Sequence, residues 1–249
     1  MINANLFDYY SFRARLQPAL LTLLPAAIGV FAWTGPGVNW QSALWTLFGT
    51  AGGTYFLAIF ARNVGKRIEP VLWESWGGAP TTQLLRHSGS ANPVMRERWH
   101  NNLSKLVGKP FPTAEQETVA PQSADDIYNA AVKLQIGKTR DTKTYSLLYK
   151  ENVHYGFCRN LFAMRSMGIV VAALGLVASC AAGIWFLKAG DPKIAPWVCG
   201  AVCTLFLSWW IFTITSSWVK IPAFAYAERL FESTEKLTRI KKGQEMLAL

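Results

Sequence analysis

Four stretches of the chain contain no Asp, Glu, Lys, Arg or His: Pro18 to Trp33, Ser42 to Ala61, Met167 to Leu187 and Ala195 to Thr215. A helix that crosses a bilayer core needs about 20 predominantly apolar residues, within a range of about 17–25. Three of the stretches reach that length directly, and the first reaches it with its flanks. Buried core helices of a soluble protein would not carry four charge-free runs of this length. The expected fold is therefore all-α and integral to a membrane. It has four transmembrane helices arranged as two outward-facing hairpins, with a helical cytoplasmic domain between helices 2 and 3. The expected segments are a first hairpin over 1–61, the cytoplasmic helical domain over 62–166, a second hairpin over 167–218 and a cytoplasmic amphipathic helix over 219–249. The first run lacks a small-x-small cleavage site and is followed closely by a second, so it reads as a retained signal anchor.

Orientation follows from the basic residues. The segment Arg62 to Arg165 holds 15 of the 25 Lys and Arg, the stretch after Trp218 six, and the N-terminal segment two. The short connections Thr34–Asn39 and Ala189–Lys193 are nearly free of net charge. Basic loops stay in the cytoplasm, so both termini and the central segment are expected there. Trp33, Trp40, Trp45, Trp185 and Trp197 flank the two short connections, where an aromatic belt belongs. The net charge of +10 is explained by this placement. The nine acidic residues of the central segment weigh against nucleic acid as a partner.

The central segment is too long for a simple connection, and its punctuation predicts helices. The second membrane helix should run on to about Trp76, where Gly77-Gly78 stops it. A short helix should follow with Thr81 near its cap. Asn92-Pro93 should open another helix that Gly108 closes. Thr113 with Gln116, and more loosely Ser123 with Asp126, fit capping boxes. The second box should open an amphipathic helix whose apolar face is Ile127, Ala130, Ala131 and Leu134. From about Thr144 the pattern predicts one helix running into the third membrane run. The tail, with Phe224, Phe231, Leu237 and Ile240 among charged residues, predicts an amphipathic helix lying on the central segment.

Candidate chemistry is sparse. Gly77, Gly78, Thr81, Thr82, Arg86 and His87 combine a glycine turn, a helix start, two hydroxyls and positive charge, which together can hold a phosphate or carboxylate. Arg159 and Asn160 lie on a polar helical stripe that could join them, and Arg159 or Arg165 could contact lipid phosphates. Glu151 and His154 are the only acid–base candidates, with no third partner in the sequence. Capped helix ends and a structural polar network account for the same residues, and are preferred to catalysis. Gly49 with Gly53, and Gly175 with Ser179 and Gly183, are small-residue faces on which helices can pack closely, within one chain or in a homo-oligomer. His87, His100 and His154 lack ligand spacing, and no C-x-x-C pair occurs, so no metal is expected. Nothing in the sequence points to a cofactor. The membrane runs carry no ionisable group, which weighs against a proton-coupled transporter.

Four motifs, W-G-G-x-P-T-T-x-L-L-R-H (Trp76–His87), F-P-T (Phe111–Thr113), T-R-D (Thr139–Asp141) and E-N-V-x-Y-G-F-x-R-N (Glu151–Asn160), cover most of the central segment. In them the chain resembles an uncharacterised family of bacterial polytopic membrane proteins. The resemblance implies an inner-membrane location and no particular activity. The general plan also resembles small membrane effectors of anti-phage systems, in which a cytoplasmic sensor acts on a helical bundle. The expected function is a non-enzymatic membrane effector or channel-like protein. Its cytoplasmic domain binds an anionic small ligand or a protein partner. The alternatives are a membrane-tethered enzyme acting on a phosphorylated or nucleotide substrate, and a scaffold for a protein partner.

Overall fold

The computed structural model describes residues 9–35 and 51–247, and among them every regular element is helical. A π-helical turn (Ser11–Leu16) leads into α1 (Gln17–Thr34). Then come α2 (Ala51–Ser75), α3 (Pro80–Leu85), α4 (Pro93–Val107), α5 (Ala114–Val119) and α6 (Pro121–Lys138). Next are α7 (Ser146–Ala163), α8 (Arg165–Lys188) and α9 (Ala195–Ser208), which passes into a second π-helical stretch (Trp209–Thr213). The last element is α10 (Ser216–Leu247).

The chain divides into two compact units. Unit 1 comprises residues 1–69 and 156–219, and unit 2 comprises 70–155 and 220–249. The chain therefore passes between them three times, inside α2, α7 and α10.

Among the described residues of unit 1, three helices are long and apolar enough to cross a membrane: Ser11–Thr34, Arg165–Lys188 and Ala195–Thr213. The first nine residues of the run Ser42–Ala61 lie outside the described residues, and the rest, from Ala51, forms the start of α2. The helices α1, α8 and α9 pack on one another along a seam of small residues. A Cβ on Gly29 would stand 3.1 Å from the Gly175 Cα, and one on Gly175 would meet the Pro25 carbonyl. A Cβ on Gly183 would stand 2.8 Å from the Trp197 ring. The fully buried Ser179 turns its hydroxyl back to donate to the Gly175 carbonyl at 2.8 Å, so no polar group is stranded in the seam. Such close approach maximises van der Waals contact where no hydrophobic drive separates helix from lipid. The outer faces are apolar, with Val170, Leu174, Val177 and Trp185 on α8 and Val198 and Leu205 on α9 exposed.

In unit 2, α3 to α6 and α10 surround one core built on Trp99, Leu103, Tyr128, Ala131, Leu230 and Phe231. The end of α2 is set by Gly77 and Gly78, whose φ values of 88° and 130° L side chains rarely adopt. Asn92 caps α4 by accepting from the Val94 N–H at 2.9 Å. Thr113 and Gln116 form the reciprocal capping box that opens α5.

The cap of α3 is Ala79, with Pro80 at its first position, so Thr81 lies near the cap without forming it. Three local expectations need correction. Helix α6 opens earlier than Ser123, at Pro121, and its cap Ala120 makes no side-chain bond. The buried face of α6 is Ala124, Tyr128, Ala131, Val132 and Gln135, whereas Ala130 and Leu134 are exposed. Tyr128 wins the core position because its ring buries more area than a leucine and its hydroxyl finds a carboxylate. Finally, α7 does not run unbroken into α8. Met164 (φ −91°, ψ 4°) leaves helical geometry between them, and its N–H is shared by the Asn160 and Leu161 carbonyls.

Candidate functional site

Gly77, Gly78, Thr82, Arg86 and His87 belong to a network in unit 2, and Arg159 and Asn160 to a separate one in unit 1. In unit 2, Arg86 is already engaged. Its Nε and Nη2 donate to both oxygens of Asp125, at 2.9 and 2.5 Å, and its Nη1 donates to the Gly77 carbonyl at 2.8 Å. This pairing raises the Arg86 pKa, so the guanidinium is a fixed charge. A Cβ on Gly78 would stand 3.3 Å from Arg86 Nη2. Thr82 is buried and donates to Asn129 Oδ1 at 2.9 Å. The His87 backbone N–H reaches both Glu117 oxygens at 3.0 Å, and its ring nitrogen Nε2 lies 3.0 Å from the Pro112 carbonyl. Glu117 is buried as well and also accepts from the Tyr128 hydroxyl at 2.7 Å. Burial first, and then that bond, push the Tyr128 pKa up. Gly77 to His87 thus form a self-satisfied lock that ties α3 to α5 and α6.

His100 belongs to the same lock. Its Nε2 lies 2.7 Å from the Leu85 carbonyl, an acceptor only, so that nitrogen carries the proton. Burial lowers the His100 pKa from its ordinary 6.5. The unfolded chain therefore takes up a proton before the folded one does. Stability is complete above about pH 6.5 and falls with pH until the folded ring titrates. The apparent melting temperature of the full chain is expected to drop between pH 7 and pH 5. In His100→Gln, which keeps a donor near Leu85, part of that drop should disappear. An identical pH slope in both proteins would show that His100 is not responsible.

Glu151 and His154 lie on α7 in unit 2, where Glu151 is half-buried and His154 exposed. Gly49 lies outside the described residues, and the surroundings of Gly53 are not among those described.

The second network is in unit 1 and contains Arg159 and Asn160. Both are buried, with Asn160 only 1% exposed. Arg159 donates from Nη1 to Glu69 Oε1 at 2.6 Å. Asn160 donates from Nδ2 to the Ala14 carbonyl at 2.6 Å. The close fit depends on two glycines. A Cβ on Gly65 would overlap Asn160 Oδ1, and one on Gly156 would stand 2.9 Å from the Tyr10 hydroxyl. This network joins the N-terminal π-helical turn, α2 and α7.

Three interruptions of helical geometry in unit 1 lie close together. Ala14 belongs to the π-helical turn before α1. Met164, the break between α7 and α8, packs with Ala19 and Ala61. The π-helical stretch after α9 ends at Ile214, which leaves carbonyls at that helix end without helical donors. Arg165, just past the Met164 break, satisfies two of them, donating to Trp210 O at 3.1 Å and to Ile211 O at 2.9 Å. Trp210, fully buried, lies flat against Gly168. π-Helical bulges and single-residue breaks are weak points in a hydrogen-bond ladder and recur at functional sites.

Sequence reasoning marked Arg159 and Asn160 but missed Glu69, Gly65 and Gly156, and it marked Arg165 for lipid phosphates where the side chain instead donates to the Trp210 and Ile211 carbonyls. One signal for Glu69 was present, since it is the single acid between Asp8 and Glu74. Among the described residues, no group of histidine, cysteine and carboxylate side chains could hold a metal ion.

No protein-family model, curated protein or solved structure matches the chain.

Proposed function

We propose that the chain is a multi-pass bacterial inner-membrane protein that acts as a non-enzymatic effector. In this reading four helices span the membrane as two outward-facing hairpins, and unit 2 lies in the cytoplasm. Binding of an anionic ligand or a protein partner to unit 2 alters the unit 1 bundle within an oligomer, as in a channel or a defence effector against phage. The kinship with the uncharacterised bacterial membrane family that the four motifs imply belongs to the same proposal. The observation that carries the reading is the coincidence, in one layer, of two π-helical turns, the Met164 break and the buried Glu69–Arg159 pair. A layer with weak helical ladders, latched by a charge pair, has the makings of a two-state element. α2 and α7 each supply one charge of that pair and also continue into unit 2, so a movement there would reach the latch through the helices themselves.

Reconstitution of the full chain into dye-loaded liposomes tests this. Opening the latch with Glu69→Gln should increase dye release without any ligand, while Glu151→Gln with His154→Ala should leave release at the wild-type level. Folded content is checked by circular dichroism in the same vesicles. Tight vesicles from a folded Glu69→Gln protein would defeat the effector reading. Catalytic turnover of a phosphorylated substrate that the Glu151/His154 double variant lacks would put the enzyme in its place.

A further inference from the structure

The layer that holds the latch also carries a collar of cations, and we propose that this collar binds the headgroups of anionic phospholipids. The inference rests on the membrane reading above. Asn160 sits against both Ala14 and Gly65, and Ala61 packs with Ala19 and Met164, which puts the π-helical turn, the middle of α2 and the α7–α8 break at one level of unit 1. At that level Arg13, Arg62, Lys66 and Arg67 are exposed. None of the four has a carboxylate partner among the described residues. Glu69, the acid of this level, is taken by Arg159.

The other end of the same helices is different. Lys188 ends α8, Asp191 and Lys193 follow it, and Lys193 pairs with Asp191 at 3.3 Å. Among the described residues the positive surplus is thus concentrated at one end. It begins where the apolar surface stops: Phe56 is 65% exposed on α2, and the cations start at Arg62 of the same helix. Exposed Tyr9 and Phe12 lie beside Arg13, whose guanidinium sits over the Tyr9 ring. Aromatic rings and unpaired cations bordering an apolar span are the composition of a headgroup-level surface, and the ammonium and guanidinium groups select for net negative lipid. A neutral zwitterionic headgroup offers a phosphate but carries its own cation, so the collar gains little from it. An anionic headgroup offers the charge uncancelled.

The full chain, purified in non-ionic detergent, is exchanged into micelles containing phosphatidylcholine and phosphatidylglycerol in equal amounts. The lipid that co-purifies is then quantified by mass spectrometry. The wild type should enrich phosphatidylglycerol severalfold, since each cation at an anionic surface is worth about fivefold in partition. Arg62→Gln/Lys66→Gln/Arg67→Gln should lose that enrichment, and Lys188→Gln/Lys193→Gln should keep it. Equal amounts of both lipids on the wild type would overturn the proposal. So would displacement of phosphatidylglycerol by an equal concentration of inorganic phosphate, which would assign the cations to a free anion. Failure of the wild type to enter liposomes at all would remove the membrane reading itself, an outcome distinct from entry without lipid preference.

Discussion

Arg159→Ala should destabilise the full chain by about 3 kcal/mol, because it leaves the Glu69 carboxylate facing a buried cavity without its counter-ion. The pair is well enclosed, with side-chain exposures of 9% for Arg159 and 18% for Glu69, so water can compensate the loss only in part. Asn160 would also lose the guanidinium against which its Oδ1 rests. Arg159→Met combined with Glu69→Gln should recover much of the loss, since removing both charges removes the uncompensated one. Thermal unfolding in detergent, followed by tryptophan fluorescence, gives the comparison. A single variant as stable as the wild type would mean that solvent already screens the pair. The double variant separates stability from gating: if it is stable yet leaky in vesicles, the pair is a latch and not merely a strut.

A second large effect is expected from one methyl group. Gly168→Ala should destabilise unit 1 by about 1–3 kcal/mol, the cost of overpacking a filled core. A Cβ at this position would intrude on the Trp210 ring, which is fully buried and pinned by Leu161, Ala172 and Ile214. The ring cannot retreat without carrying along the carbonyls that Arg165 binds. The same exchange at Gly137, inside α6 with nothing within 4 Å of the new carbon, should stabilise by up to about 1 kcal/mol, since alanine favours helix over glycine. Opposite signs from one chemical change would tie the Gly168 effect to packing. If Trp210→Leu fails to rescue Gly168→Ala, the ring is not the obstacle.

Much of the element order could be read from local chemistry. The charge-free runs marked α1, α8 and α9, the Gly77-Gly78 pair marked the end of α2, and Asn92-Pro93 and Thr113/Gln116 marked two helix starts. These signals act within a few residues of the features they specify. What was not legible depends on partners distant in sequence. Leu134 has the better apolar side chain, yet α6 buries Tyr128 because Glu117 and the ring of His100 await it. Arg86 looks like a free cation until Asp125, 39 residues away, is placed beside it. Arg159 finds Glu69 across 90 residues. The break at Met164 interrupts an apolar pattern that contains no proline and no nearby acid, and the packing of Met164 on Ala19 and Ala61 gives it a place that periodicity alone did not reveal.

Because each unit is assembled from two separated stretches of chain, neither can be finished in the order in which it is synthesised. The α1 helix emerges long before α8 and α9, the helices that cover its glycine face. Trp99 and Tyr128 emerge before Leu230 and Phe231, which close the core around them. Two half-built cores are thus open at once, with 86 residues of unit 2 (70–155) intervening between the halves of unit 1. Contacts of such long sequence separation slow folding and expose apolar surface in the interval. For this chain, the last described helix to leave the ribosome, α10, is also the one that ends the period of vulnerability in unit 2.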